Sequence, residues 1–324
     1  MSLRITNLSK RYDDNLVLRN VSFEVEKCEV FGIFGATGAG KSTLIRLISG
    51  SENCDSGAIH YDASDVTTLS CDDRSFHFPK LTNDIFWKNL FNTENKSQLA
   101  DGEGQVLALE EALQKAESVL LLDDSFCYMD RLLRLENYEK LHKTVDEKKL
   151  IVIIASNDFS ELMRLCERIA VLDDGEIKQI GTPREIYESP NSVAVARITG
   201  RNNLIGAKRL SSGEAELPEF QTVIGEHRLY TKKIEKNAPD ALNQNVALAI
   251  RPEHISISFG ASFPEDNLLK AQITDIKFHG PTTLIRLDSN GLILAALVLR
   301  LVGLNVGDEC MVGLPPDRIL VLTD

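Results

Sequence analysis

The feature that most constrains the fold is an eight-residue segment, Gly-Ala-Thr-Gly-Ala-Gly-Lys-Ser at residues 35–42, which satisfies the pattern G-x-x-x-x-G-K-[ST]. Its three glycines free the backbone to wrap closely around an anion, so that successive N–H groups point at phosphate oxygens. An apolar run at residues 29–34 precedes it, and a helical apolar pattern closed by Gly50 follows it. Because strand, loop and helix start occur in this order, the sequence predicts a phosphate-binding loop.

The residues of this loop are the first candidate binding site. Lys41 is expected to reach the terminal phosphates of a nucleotide, and the Ser42 hydroxyl is placed to ligate Mg²⁺. A glycine-rich turn without chemical use is the alternative, but motif and flanking pattern coincide and favour the loop. The predicted binding residues are Gly35, Ala36, Thr37, Gly38, Ala39, Gly40, Lys41, Ser42 and Thr43.

A second acidic partner for the metal is expected at the carboxyl end of a neighbouring apolar strand. Residues 119–124, Val-Leu-Leu-Leu-Asp-Asp, supply it. Asp123 is predicted to hold Mg²⁺ through its water shell, and Asp124 lies where a base would orient an attacking water. The alternative is an acidic strand end in solvent, and for Asp124 the two interpretations stay open.

Composition limits the class of partner. The 324 residues carry 36 Lys+Arg against 48 Asp+Glu, a formal net charge of −12, and such a surface repels phosphate backbones, so we expect no nucleic-acid partner. Six scattered cysteines without a C-x-x-C pair are typical of reduced thiols in a cytosol. The amino terminus lacks a signal-peptide pattern, and the most apolar stretch, residues 291–306, is shorter than the ~20 residues that span a bilayer. These features predict a cytoplasmic protein.

The pattern of apolar residues changes along the chain. Up to about residue 190, Val- and Ile-rich runs alternate with helical patterns, which is typical of βαβ units around a largely parallel sheet. From residue 203 onward, short alternating runs are separated by turn signals, as in a small all-β domain. We therefore expect a boundary between residues 189 and 203 and predict two domains, residues 1–195 and 196–324.

Three further segments resemble the nucleotide-binding subunits of ATP-binding cassette (ABC) transporters, of the importer type with a carboxy-terminal TOBE domain. Residues 11–23 are similar to the opening of that family and place Tyr12 where an aromatic ring stacks on adenine. Residues 168–187 are similar to the closing hairpin and helix of the family almost throughout. Residues 249–254, Ala-Ile-Arg-Pro-Glu-His, resemble a signature inside the TOBE domain.

The resemblance covers nearly the whole chain and implies both fold and function. The implied fold class is an α/β P-loop NTPase cassette, with a shortened helical subdomain, followed by a small all-β OB/TOBE-like domain. The implied cofactors are ATP and Mg²⁺. The implied partners are transmembrane permease subunits and a solute-binding protein, as in sugar, polyamine and oxyanion uptake systems. The chain is then expected at the inner face of the cell membrane, as a peripheral protein.

Departures from the family fall on the positions that perform hydrolysis. Asp124 stands where the family has Glu, and its carboxylate is one methylene shorter. Asn157 follows an apolar strand where the family has a switch His that contacts the γ-phosphate, and a neutral amide carries no charge. Residues 99–103, Leu-Ala-Asp-Gly-Glu, replace the LSGGQ signature, so the Ser hydroxyl is lost and two carboxylates are added. The stretch at residues 78–99 is also shorter than the helical subdomain of the family.

Three hypotheses follow from the sequence. The first is an ATP-binding subunit of an ABC importer with weak hydrolysis, as a homodimer or as a heterodimer with a second, more active ATPase subunit. The second is a non-transport protein that uses the cassette for ATP-dependent dimerisation or nucleotide sensing. The third is a P-loop kinase or a translation-type cassette protein. A kinase would leave the closing hairpin and the TOBE match unexplained, and a translation-type protein normally joins two cassettes in one chain. Asp124 and Asn157 are the candidate catalytic residues in each cassette hypothesis.

Overall fold

A computed structural model of the chain describes residues 1–79, 101–210, 217–232, 242–259, 266–299 and 303–322. Backbone contacts divide the chain into two compact units, Met1–Glu188 and Ser189–Asp324. The predicted shortened helical subdomain lies almost wholly outside the described residues, as do the first two residues of the altered signature. In the described ranges, no helix is long and apolar enough to cross a membrane.

The first unit contains two sheets and flanking helices. Its elements are β1 (Ser2–Tyr12), β2 (Asn15–Glu26), β3 (Val30–Phe34), α1 (Lys41–Ser49), β4 (Ser56–Tyr61), β5 (Ser64–Asp65), β6 (Phe76–His77), α2 (Asp101–Lys115), β7 (Val119–Asp123), α3 (Arg131–Lys148), β8 (Ile151–Ser156), α4 (Phe159–Leu165), β9 (Arg168–Asp173), β10 (Glu176–Gly181) and α5 (Pro183–Glu188). One sheet is antiparallel, in the order β2-β1-β4-β5. The other has the order β10-β9-β3-β8-β7-β6, and all its pairs are parallel except β10 with β9.

The parallel sheet follows from nearly continuous apolar sequence. Every residue of β3 and of β8 is buried, which is the pattern of a strand covered on both faces. In the parallel pairing Phe34 lies beside Ser156, and Asp123 lies beside Ala155. The carboxyl ends of β3, β7 and β8 therefore meet at one edge of the sheet, where α/β proteins place their ligand sites.

The described part of the second unit begins with α6 (Val193–Ile198) and continues as strands with one 3-10 helix, Pro252–His254. Its strands are β11 (Asn203–Arg209), β12 (Glu219–Thr222), β13 (Arg228–Tyr230), β14 (Asn245–Ile250), β15 (Ser256–Ser258), β16 (Asn267–Phe278), β17 (Thr283–Ser289), β18 (Leu292–Val298), β19 (Glu309–Leu314) and β20 (Leu320–Leu322). They form two five-stranded antiparallel sheets, ordered β13-β12-β11-β14-β20 and β15-β19-β16-β17-β18. The inward side chains of both sheets share one apolar core, and alternation along β16 matches its sequence pattern.

Candidate functional site

The glycine-rich loop connects β3 to α1 at the edge where the parallel strands end. Gly38 and Gly40 have positive φ values of 87° and 103°, a region that glycine adopts without steric cost. Gly35 is required for another reason: a Cβ atom there would lie 2.3 Å from the carbonyl oxygen of Leu172. Backbone conformation and close packing thus explain why glycine occupies each of these positions.

Lys41 is the first residue of α1 and folds back over the loop. Its side chain is almost completely buried, and its Nζ donates hydrogen bonds to the carbonyl oxygens of Gly35 at 2.8 Å and Ala36 at 3.1 Å. Burial lowers the pKa of Lys41, and the nearby carboxylates of Asp124 and Asp123 oppose that shift. The ammonium group is therefore held against the carbonyl oxygens of the loop, at the start of the helix that follows it.

A cavity of about 200 Å³ opens beside this loop. Its lining comes from the loop and α1, from the two residues that follow β7 and β8, and from one residue of β2. The lining residues are Val17, Thr37, Gly38, Gly40, Lys41, Ser42, Thr43, Asp124 and Asn157. All except Val17 are predicted site residues. Val17 gives no chemical signal in the sequence, since it is one apolar residue within a strand.

Asp123 ends β7. Its Oδ1 atom is buried and has no hydrogen-bond donor in the described part of the chain. Burial raises the pKa of Asp123, while the Ser42 hydroxyl opposes that shift and the Asp124 charge adds to it. A buried carboxylate oxygen without a donor is stabilised by a cation, so Asp123 and Ser42 fit the role of metal partners.

A Mg²⁺ ion at this place needs ligands beyond the protein. Among the residues that the structure describes, no group of three or more His, Cys, Asp or Glu side chains is arranged to hold a metal. Mg²⁺ normally keeps several waters and shares its coordination with substrate phosphates. The donor set of Ser42 and Asp123 therefore fits a metal that arrives with a nucleotide.

Asp124 directly follows the ladder of the parallel sheet. Its backbone N–H donates to the carbonyl oxygen of Ala155 at 2.9 Å, and its φ is 46°. Among residues with a side chain, Asp and Asn adopt this left-handed region most readily. The short side chain that the sequence shows at position 124 is therefore also the one that suits the local backbone.

Asn157 is exposed and follows β8 directly. The next residue, Asp158, caps α4: its Oδ1 accepts hydrogen bonds from the N–H groups of Ser160 at 2.9 Å and Glu161 at 3.3 Å. Arg134 of α3 lies 3.6 Å from the other oxygen of Asp158. Asn157 is thus placed between the end of a buried strand and a capped helix, at the rim of the cavity.

Two buried polar residues near the site escape sequence reasoning. Gln105 of α2 donates from Nε2 to the carbonyl oxygen of Asp124 at 3.4 Å, and its Oε1 accepts from the N–H of Tyr128 at 2.8 Å. It therefore links the helix after the signature position to the turn that carries Asp124. The available sequence signal was the position of Gln105, three residues after Gly102 in the helix that begins within the altered signature.

Glu161 is the other missed residue. It is 4% exposed, and burial raises its pKa to about 7, with hydrogen bonding to Ser156 opposing the shift and Asp158 adding to it. The Tyr138 hydroxyl lies 3.5 Å from its Oε2. A single Glu in a short helix gives no sequence signal for such an environment.

The remaining predicted positions lie at other places. Tyr12 ends β1 with 37% of its surface exposed and is not part of the cavity lining. Ala39 is buried, and Glu103 is exposed in the first turn of α2. Asp130 caps α3 by accepting from the N–H groups of Leu132 and Leu133.

Comparisons with known proteins agree with this geometry. The ABC transporter family matches residues 18–82, and the TOBE domain family matches residues 248–322. The spermidine/putrescine import ATP-binding protein PotA of Thermotoga maritima is 32% identical over 288 residues, covering 78% of this chain and 77% of that protein. The sulfate/thiosulfate import ATP-binding protein CysA of Bacillus cereus is 26% identical over 329 residues, covering 90% and 88%.

Solved structures show the same fold. A nucleotide-free ATP-binding cassette from an ABC transporter superposes with a TM-score of 0.54 at 18% identity, covering 62% of this chain and 100% of that one. The ADP conformation of another ATP-binding cassette gives a TM-score of 0.51 at 18% identity, covering 60% and 98%. The predicted fold class, an α/β NTPase cassette followed by a β domain, is confirmed.

The glycine-rich loop at the edge of a parallel sheet defines a P-loop nucleotide-binding cassette. Similarity over most of the chain then makes the assignment narrower: the chain belongs to the ABC family, among the ATP-binding subunits of importers that carry a carboxy-terminal TOBE domain. This confirms the predicted resemblance and the part of the first hypothesis that makes the chain an ATP-binding subunit of an ABC importer, and it implies permease subunits as partners.

Proposed function

We propose that the chain binds Mg-ATP through residues 35–43 and Asp123 at a dimer interface, that it hydrolyses ATP slowly, and that it supports import through permease subunits and a solute-binding protein. Its proposed place is the cytoplasmic face of the membrane, as a peripheral subunit. The observation that carries this proposal is the cavity in which an intact phosphate-binding loop faces Asp124 and Asn157.

Binding requires little beyond the loop. Backbone N–H groups at the start of α1, the Lys41 ammonium and the helix dipole all favour a polyphosphate. Ser42 and the buried oxygen of Asp123 would hold a Mg²⁺ ion, which would offset part of the phosphate charge. These groups are supplied by two adjacent elements, so nucleotide binding does not depend on the altered positions.

Hydrolysis requires more. A water molecule must be oriented for in-line attack on the γ-phosphorus while the bond to the β–γ bridging oxygen breaks. The Asp124 carboxylate is one methylene shorter than a Glu, and Asn157 carries no charge. Loss of one positioning or electrostatic group typically costs ~10²–10³ in rate, although losses within one unit need not multiply.

These differences support a heterodimer. In a homodimer, both composite sites combine Asp124 and Asn157 with the altered signature at residues 99–103. With an ordinary partner cassette, each composite site is altered on one side only.

The relatives are named for import of spermidine and putrescine, which are cations, and of sulfate and thiosulfate, which are anions. We therefore propose uptake of a small solute, selected by the permease and binding protein.

The test measures ATP binding with Mg²⁺ and phosphate release on the purified chain, with Lys41→Ala as the matched variant. We expect binding that Lys41→Ala abolishes, together with phosphate release close to that of the variant. Binding that is unchanged in Lys41→Ala would reject the phosphate-binding loop. Rapid release that the substitution removes would reject slow hydrolysis, because Asp124 and Asn157 would then suffice.

A further inference from the structure

The hydroxyl group of Tyr12 is held from two sides. It donates a hydrogen bond to Oε2 of Glu52 at 2.6 Å and lies 3.3 Å from Nη2 of Arg46, which donates to it. A phenol has one donor and an acceptor oxygen, and both functions are used here. A ring whose polar end is fixed in this way keeps one orientation, although much of its surface is exposed.

Arg46 connects Tyr12 to the phosphate-binding loop. The same Nη2 atom that contacts Tyr12 also donates to Oγ1 of Thr43 at 3.1 Å, and Nε donates to Oε2 of Glu52 at 3.2 Å. Thr43 lines the cavity. One guanidinium group thus spans from the cavity wall to the aromatic ring, on the last turn of α1.

Glu52 is the shared acceptor of this cluster. Burial raises its pKa, but hydrogen bonds from Tyr12, Arg46 and Lys10 outweigh burial, so that its pKa is lowered. Lys10 lies 3.4 Å from Oε1 of Glu52, and its Nζ lies 5.4 Å from the centroid of the Tyr12 ring. The carboxylate is therefore ionised at neutral pH, and a cation lies over one face of the ring.

We propose that Arg46 and Glu52 are positioning residues that fix Tyr12 for contact with the base of the nucleotide, while Arg46 couples that contact to the phosphate end through Thr43. The proposal rests on the nucleotide binding proposed above. Because Lys10 lies over one face of the ring, the base stacks on the opposite face. Glu52 then contributes to affinity for ATP, although it touches no part of the nucleotide, and contributes nothing to affinity for a ligand without a base.

The test compares two ligands, Mg-ATP and inorganic tripolyphosphate with Mg²⁺, by titration calorimetry on the full chain. Glu52→Gln keeps the shape of the side chain and removes its charge, and Tyr12→Phe keeps the ring and removes the hydroxyl. We expect each to weaken ATP binding by about 3- to 10-fold, the range of one ordinary lost hydrogen bond. Affinity for tripolyphosphate stays within about 2-fold of wild type.

The double variant Tyr12→Phe with Glu52→Gln separates positioning from general damage. Since both changes act on the hydrogen bond between Tyr12 and Glu52, one by removing its donor and the other by removing the charge of its acceptor, the double variant is expected to lose little more than either single one. Asp55→Asn is the matched control: Asp55 lies 3.5 Å from Nζ of Lys10 and accepts from the N–H of Arg11, and among the described residues no hydrogen bond joins it to Tyr12. We expect it to leave both affinities near wild type.

The outcomes distinguish this inference from the proposed function. Wild type that binds neither ligand, or binding that Lys41→Ala leaves unchanged, contradicts the proposed function itself. If wild type binds both ligands and Glu52→Gln binds ATP as tightly as wild type does, only the positioning role is overturned. Equal loss for ATP and tripolyphosphate also overturns it, because Glu52 then supports the loop and not the ring.

Discussion

The two sides of the candidate site differ in how much of their chemistry the chain retains. On the side of the phosphate-binding loop, the motif is complete, Lys41 is buried against loop carbonyls, and Asp123 offers an oxygen that has no donor among the described residues. On the side of hydrolysis, Asp124 and Asn157 stand at the positions where the resemblance implies Glu and His. Anion binding relies on backbone N–H groups and one cation within a short segment. Water activation relies on side-chain length and charge from several elements, so the second function can be lost while the first is kept.

The prediction with the largest expected effect on ATP affinity concerns a substitution that disrupts the geometry of the phosphate-binding loop. In Gly35→Ala the new Cβ would lie 2.3 Å from the Leu172 carbonyl oxygen, which must displace the loop from β9. We expect ATP affinity to fall by at least about 100-fold, as when an anion site loses its aligned donors. Gly104→Ala in α2 is the control, because a Cβ there meets no atom within 4 Å. Calorimetry with Mg-ATP measures both, and a Gly35→Ala variant with full affinity would contradict the loop geometry.

The second test restores the hydrolysis side. Asp124→Glu combined with Asn157→His is expected to raise phosphate release by about 10-fold or more while ATP affinity changes little. The left-handed backbone at position 124 disfavours Glu somewhat, so circular dichroism should confirm that the variant folds. Adding Lys41→Ala should return release to background. An unaltered rate would mean that the signature or the partner subunit limits turnover.

The smallest expected effect concerns the pH dependence of stability on the hydrolysis side. The pKa of Glu161 is raised to about 7 from an ordinary 4.5. Between these values the unfolded chain loses the proton while the folded chain keeps it, so the free energy of unfolding falls as pH rises. The contribution is at most about 3 kcal/mol. Relative to Glu161→Gln, the wild-type midpoint in urea should therefore decrease from pH 5 to pH 8.

A matched substitution makes that measurement specific. Glu139→Gln removes a carboxylate from an exposed position on the neighbouring helix α3, and its midpoint should follow wild type at each pH. If Glu161→Gln also runs parallel to wild type across the range, the carboxyl group of Glu161 is already ionised at pH 5 in the folded protein. The buried environment described for it would then be wrong.

Much of this arrangement is predictable because its signals are local. Residues 35–43 and Asp123 lie in short segments whose order along the chain already implies a sheet edge. The cluster of Tyr12, Arg46 and Glu52 is different, since Tyr12 and Glu52 are 40 residues apart and each is an ordinary residue in its own segment. Gln105 reaches Tyr128 across 23 residues. Contacts of this kind depend on how elements pack, which periodicity and spacing do not specify.

The order of the parallel strands has a further consequence. Asp124 and Asn157 come immediately after the last paired residues of β7 and β8, so their side chains are not among those that hold the sheet together. Point substitutions at these two places can change a reaction rate without removing a core contact. Single exchanges at these two places can therefore lower turnover while the cassette continues to fold.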